Sequence, residues 1–215
     1  MSTTTNGTGT NSAANVTAGK PKVGGAVFRA AKGTTLPTNA TTALSSDFKC
    51  LGYCSEDGLK NGNDQSSNSV SAWGGDVVLN MLTGGKDTFA FTMIEALNPE
   101  VLKTVYGSEN VSVDGTTGDI SLTVNGGSDE EYVYVFELIL KGEALKRIVV
   151  PCATITQLSE ITYKDTDAVG YAVTLTAVND DSGNSHYEYI HLASSSDSSS
   201  DDDEDDDDET DDTTT

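Results

Sequence analysis

Few side chains in this sequence have the identity and spacing for chemistry, and each group fails a requirement. The two histidines, His186 and His191, are five residues apart. On one strand an odd separation puts them on opposite faces, so they would not share a metal ion. Cys50 and Cys54 are four apart. In an extended strand their Cα atoms would be about 13 Å apart, beyond disulfide reach. A zinc site would need further thiolate or imidazole ligands at suitable spacing. These two cysteines and Cys152 therefore read as buried free thiols. The carboxylate pair Glu56/Asp57 sits in a polar stretch where both acids stay ionised, whereas an acid–base pair needs one of them raised by burial. Val23-Gly24-Gly25-Ala26 is too short for a phosphate loop and no helix follows it. There is no G-x-S-x-G elbow and no Walker-type loop. The expectation is a chain with no catalytic residue, no cofactor and no metal, in which function lies in surfaces.

Charge and composition narrow the classes further. The 215 residues include 34 acidic and 12 basic side chains, for a net charge of -22. Apolar residues make up 36%, below the usual ~45–50% of a globular domain. The shortfall sits at the ends. From Ser194 to Thr215 every residue is Ser, Thr, Asp or Glu, with 12 acids and no base. That run has neither the glycine turn nor the mixed oxygen ligands of a calcium cage, and its charges repel one another. Met1–Gly19 has Val16 as its only large aliphatic after the first residue. Neither end buries enough apolar area to offset its ordering entropy, so both are expected to be disordered. Residues 20–193 form one domain, large enough to bury about two-thirds of its unfolded surface. Without the acidic run, 22 acids face 12 bases, a net of -10. Such a polyanion should not grip nucleic acid. No stretch approaches the ~18 apolar residues of a membrane span, so no membrane insertion is expected. No basic segment leads into an apolar one at the N-terminus, as a secretory signal would require. An odd number of cysteines argues against a disulfide framework and for synthesis in a reducing cytoplasm.

The elements are mostly strands. Gly25–Ala31 and Phe48–Tyr53 read as short strands. Ala72–Thr83 reads as a longer one, loosened by Gly74 and Gly75. Asp87–Ala96 alternates cleanly, with Phe89, Phe91 and Met93 on one face. Thr83-Gly84-Gly85-Lys86 before it has hairpin chemistry. A helix is signalled by Asn98 as N-cap, Pro99 at the first position and Glu100 at the positive end. Leu102, Val105 and Tyr106 would form its buried stripe, and Gly107 its left-handed stop. Asp119–Val124 and Tyr132–Leu140 follow, the latter with Tyr132, Tyr134, Phe136, Leu138 and Leu140 on one face. Arg147–Gln157 carries Pro151, which implies an edge or a bend. Tyr171–Asn179 and His186–Leu192 flank Asp180–Asn184, read as a hairpin loop. Many strands and one helix predict a mainly β fold, a β-sandwich or partly closed β-barrel with one short flanking α-helix. Glu56–Ser69 has Leu59 as its only large apolar residue. It reads as a long polar loop that docks on something else or stays disordered. Trp73 follows directly, either as a core ring or as the anchor of a subunit contact.

Four segments carry a resemblance: 20–28 (KPKVGGAVF), 51–59 (LGYCSEDGL), 72–76 (AWGGD) and 89–107 (FAFTMIEALNPEVLKTVYG). In this order and spacing they resemble the major tail tube protein of long-tailed, siphovirus-type bacteriophages. The resemblance covers roughly Lys20 to Leu192. The C-terminal half is matched by strand pattern alone, and the acidic end is not part of the family's common pattern.

The resemblance implies a structural virion protein, made in the host bacterial cytoplasm and located in the tail. Its copies close into rings, usually hexameric, and the rings stack into a hollow tube. The tube is built around a tape-measure protein, capped by terminator and tip proteins, and traversed by double-stranded DNA without specific binding. On that reading Glu56, Asp57, Gly58, Leu59, Lys60 and Trp73 are candidate contacts between subunits or rings. A capsid decoration protein or a surface-exposed β-sandwich that binds a partner through its loops is the alternative. A carbohydrate-active enzyme would need paired buried carboxylates beside an aromatic platform. The tyrosines at 132, 134, 187 and 189 are ordinary strand residues.

Overall fold

The computed structural model describes residues 11–193 apart from Val23 and Gly127. The expectations for residues 1–10 and for the acidic run from 194 onward fall outside the described residues. The strands are β1 (Lys20–Pro21), β2 (Val27–Ala31), β3 (Lys49–Cys50), β4 (Lys60–Ser71), β5 (Val77–Met93), β6 (Val111–Val113), β7 (Ile120–Leu122), β8 (Tyr132–Ile139), β9 (Leu145–Leu158), β10 (Tyr171–Ala177) and β11 (Tyr187–His191). The helix α1 spans Pro99–Tyr106.

Nine strands make one sheet of order β3-β2-β8-β9-β10-β5-β4, with β1 on β8 and β11 on β9. Every pairing in it is antiparallel. The sheet curls until its flanks meet. Leu51 N donates to Val27 O at 2.9 Å, Ile94 N to Tyr53 O at 3.0 Å and Ser55 N to Thr92 O at 2.9 Å. A bridge between Cys54 and Met93 lies among these bonds. The chain after β3 thus crosses from the β2 flank to the β5 flank, and the expected mainly β, partly closed architecture with one flanking helix is borne out.

Period-two alternation fills the inside of the curl. Phe89, Phe91 and Met93 of β5, Tyr134 and Phe136 of β8, and Tyr171, Val173 and Leu175 of β10 share one core. The Phe136 ring sits 5.5 Å from both Phe89 and Phe91. Intervening residues of β8, Val133 and Val135, face the other way. They pack with Ala30, Phe48 and Val149 beneath Leu36 and Leu44. The helix plugs the main core with Val101, Leu102 and Val105, while half-buried Tyr106 meets the Tyr171 ring edge-on. Asn98 Oδ1 accepts from Glu100 N at 3.0 Å, and Gly107 (φ 95°) donates its N–H to Lys103 O. Both helix ends are therefore satisfied by the residues whose types signalled them.

Two buried arginines join the layers. The Arg147 guanidinium, 1% exposed, grips Glu137 and donates to Asn39 O at 2.7 Å, while Lys22 Nζ reaches the other Glu137 oxygen at 2.9 Å. Arg29 pairs with Glu100 of α1 at 2.9 Å and lies 4.4 Å from the centre of the Tyr132 ring. Removing either acid would strand a charge inside the protein.

Three sequence expectations change. Glu56–Ser69 is not a loop: from Lys60 it is strand β4. Ala72–Thr83 is not one bent strand, because 72–76 form the turn that reverses β4 into β5. Ala72 N donates to Asp76 O at 2.8 Å there, and Gly74 and Gly75 take positive φ of 137° and 99°. Consequently Thr83–Lys86 is no turn but continuous strand within β5. The reason is common to all three. A 17-residue β5 offers a ladder of backbone donors and acceptors that a polar strand satisfies as well as an apolar one. Of two glycine pairs, the one able to reverse the chain in register was Gly74-Gly75.

Asp180–Asn184 is likewise a turn without a hairpin. Asp180 Oδ1 accepts from the N–H groups of Ser182 and Asn184 at 2.9 and 3.0 Å. Yet β10 and β11 both pair antiparallel with β9, at 153–158 and 145–149. They run in the same direction along one edge. Pro151 falls in the gap between them, where no ladder donor is needed, and at the register shift of β9 against β8. The expected bend is there.

Candidate assembly arm

Beyond Asp87, β4 and β5 leave the body as a two-stranded ribbon. Every residue from 63 to 86 is exposed, and the two strands pair only with each other, from Asp64 opposite Lys86 to Ser71 opposite Val77. At about 3.3 Å per residue the ribbon projects about 35 Å. An isolated two-stranded ribbon is marginal in water, so its persistence calls for both a firm root and a partner.

The root is polar and specific. Asp87 is buried and takes hydrogen bonds from Asn63 Nδ2 on β4 and from the Ser185 hydroxyl. His186 Nδ1 lies 3.0 Å from Asp87 Oδ2, and its ring meets Phe89 edge-on at 5.4 Å. Burial alone would raise the Asp87 pKa. The hydrogen bonds from Ser185, Asn63 and His186 outweigh it and hold the carboxyl below the usual range. The cluster contains Ser, His and Asp, but the serine donates to the aspartate, which leaves no activated nucleophile.

The shaft is chemically lopsided. Along β4 the residues are Lys-Asn-Gly-Asn-Asp-Gln-Ser-Ser-Asn-Ser-Val-Ser. The facing part of β5 reads Val-Val-Leu-Asn-Met-Leu. Seven large apolar side chains are exposed on the arm: Val70, Trp73, Val77, Val78, Leu79, Met81 and Leu82. Trp73 sits in the tip turn at 107% exposure, which excludes a core role. Apolar surface collected in this way marks an interaction site. At ~1.5–3 kcal/mol per fully buried side chain, covering the ladder is worth on the order of 10 kcal/mol before association costs.

The candidate contact residues are not brought together. Glu56, Asp57 and Gly58 form an exposed turn, closed by Gly58 N donating to Ser55 O at 3.1 Å. Leu59 is half-buried against its own core rather than free. Lys60 opens β4 at the arm's base, about 40 Å of strand from Trp73 at the tip. Sequence reasoning missed Val77, Val78, Leu79, Met81 and Leu82 as a surface. The available signal was the lack of alternation in VVLNML next to a strand-length polar run, a pair that cannot both be buried.

The residues first considered for chemistry are dispersed. His191 is exposed at the end of β11, whereas His186 immediately precedes that strand at the arm root. Cys50, Cys54 and Cys152 are free; Cys152 is buried, and the other two are half-buried. Burial pushes the Cys54 thiol up to about 11, away from reactive thiolate. Among the described residues no three His, Cys, Asp or Glu side chains gather as a metal site, and no helix is long and apolar enough to cross a membrane.

A curled β body with a protruding, apolar two-stranded arm presents surface suited to attachment. A family model described as phage tail tube protein matches residues 8–199. The chain belongs to that family, a structural component of the phage tail with a role in tail assembly. A comparison with curated proteins gives no match.

Proposed function

We propose that the protein builds the tail tube by closing into rings, six copies each, that stack around a tape-measure protein. Terminator and tip proteins finish the two ends, and genomic DNA passes through the bore into the host. The observation that carries this reading is the arm, which is useless to a monomer and suited to reach a neighbouring copy. A ring needs a heterologous contact whose rotation closes, and stacking needs an element that leaves the body. Of the polar stretch 56–69, the part from Lys60 onward belongs to β4 and forms one side of this arm.

Charge supports the reading. With a body at -10, carboxylates around a bore would repel phosphates over about 8 Å at physiological salt. The 12 acids of 194–215 would crowd such a bore and belong outside it, as a fringe that keeps tubes from bundling. Deleting 194–215 should then bring tubes into side-by-side bundles; unchanged solubility and spacing would refute the fringe. The assembly itself is tested by negative-stain microscopy of the purified chain at rising concentration. Annuli and filaments are expected. A monodisperse monomer at every concentration would overturn the proposal.

A further inference from the structure

A head-to-tail contact needs a receptor as well as an arm, and a second apolar feature lies at the far end of the body. Tyr106 of α1, Val124 after β7, and Ile155 and Leu158 of β9 line a groove of about 520 Å³. Val124 and Leu158 are exposed there, and Leu122 of β7 is exposed beside them. Asp129, Ser128 and Gln157 supply its polar lining.

The chain's own arm does not reach this groove. Leu158 pairs with Val173, and Val173 with Phe91 of β5. From Phe91 the strand runs away to Val77 through 14 residues, about 46 Å. Tip and groove thus sit at opposite ends of one strand direction, the arrangement that joins copies in series.

We propose that Trp73 of one copy seats in this groove of the next. The inference rests on the tube-subunit reading and names the receptor that reading lacks. An indole is a large apolar plate with one N–H donor. The groove presents apolar walls with the Asp129 carboxylate and the Gln157 amide as acceptors.

Trp73 is the only tryptophan, so fluorescence excited at the red edge of the indole absorption, where the tyrosines do not absorb, reports on it alone. As the full-length chain assembles, its emission should move to shorter wavelength as the ring leaves water. Val124→Glu should keep the monomer's circular dichroism and melting temperature, since Val124 is exposed. It should raise the concentration needed for assembly at least ten-fold and leave the emission of a solvated indole. Leu158→Gln probes the same wall if Val124→Glu lowers monomer stability. Trp73→Ala should lose assembly to the same degree, with the monomer intact. Wild-type tubes with unshifted emission would overturn the groove assignment alone, as would both wall variants assembling with the wild-type shift. A wild type that never assembles would overturn the tube-subunit reading and this inference with it.

Discussion

Body and arm are made of the same secondary structure and solve opposite problems. In the body, alternate side chains of β5, β8 and β10 point into a shared core, and the backbone ladder extends across nine strands. In the arm the same β5 continues, but its apolar residues face water on a ribbon of two. One strand passes from interior to exposed ribbon at a single residue, buried Asp87. The difference teaches that a strand's burial is set by what is stacked on it, not by its own composition.

The contrast can be broken most severely in the body. Phe136→Ala removes the ring that touches both Phe89 and Phe91, and should cost about 3–5 kcal/mol of monomer stability in urea unfolding. A cost below 1 kcal/mol would mean that the body is not held by this core.

The junction should give an intermediate effect. Asp87→Asn replaces the carboxylate that accepts from Asn63, Ser185 and His186, at about 1–2 kcal/mol near pH 7. Because the folded carboxyl is held below its usual range, its contribution is complete above the unfolded value of about 3.9 and fades as pH falls through the lower folded value. The stability difference between wild type and Asp87→Asn should therefore shrink below about pH 4, measured by urea unfolding against pH. A difference that grows on acidification would contradict the assignment.

The smallest effect on the monomer is expected from the largest excision. Removing residues 64–85 and joining Asn63 to Lys86 through an Asn-Gly turn should change monomer stability by no more than about 0.5 kcal/mol. The same excision should abolish sedimentable polymer. Tubes formed without the arm would end the distinction between the two regions.

The sequence was most readable where local chemistry and tertiary packing agree. Asn98, Pro99 and Gly107 marked the helix because each meets a backbone need at a helix end. Phe89, Phe91 and Met93, like Tyr134 and Phe136, marked inner faces because a strand with one buried face must alternate. The arm was illegible for the complementary reason. β4 has no alternation and is rich in Asn, Ser, Asp and Gly, residues depleted in strands. It is a strand because β5 supplies its partner bonds. The choice of Gly74-Gly75 over Gly84-Gly85 as the turn depends on register across that ladder, which neither dipeptide encodes. Collinear β10 and β11 were hidden similarly, since only the 14-residue length of β9 makes room for both on one edge.

The lopsided ribbon also has a bearing on how the chain survives its own synthesis. Val77–Leu82 is a short, uncharged, proline-free run of the kind that stacks into fibrils when left alone. Translation proceeds from the N-terminus, so the hydrophilic half of the ribbon leaves the ribosome first and waits five residues ahead. The sticky half thus emerges beside a water-loving template that occupies one of its edges at once. The arm carries its own guard until, in the proposed assembly, another copy of the protein replaces the surrounding water.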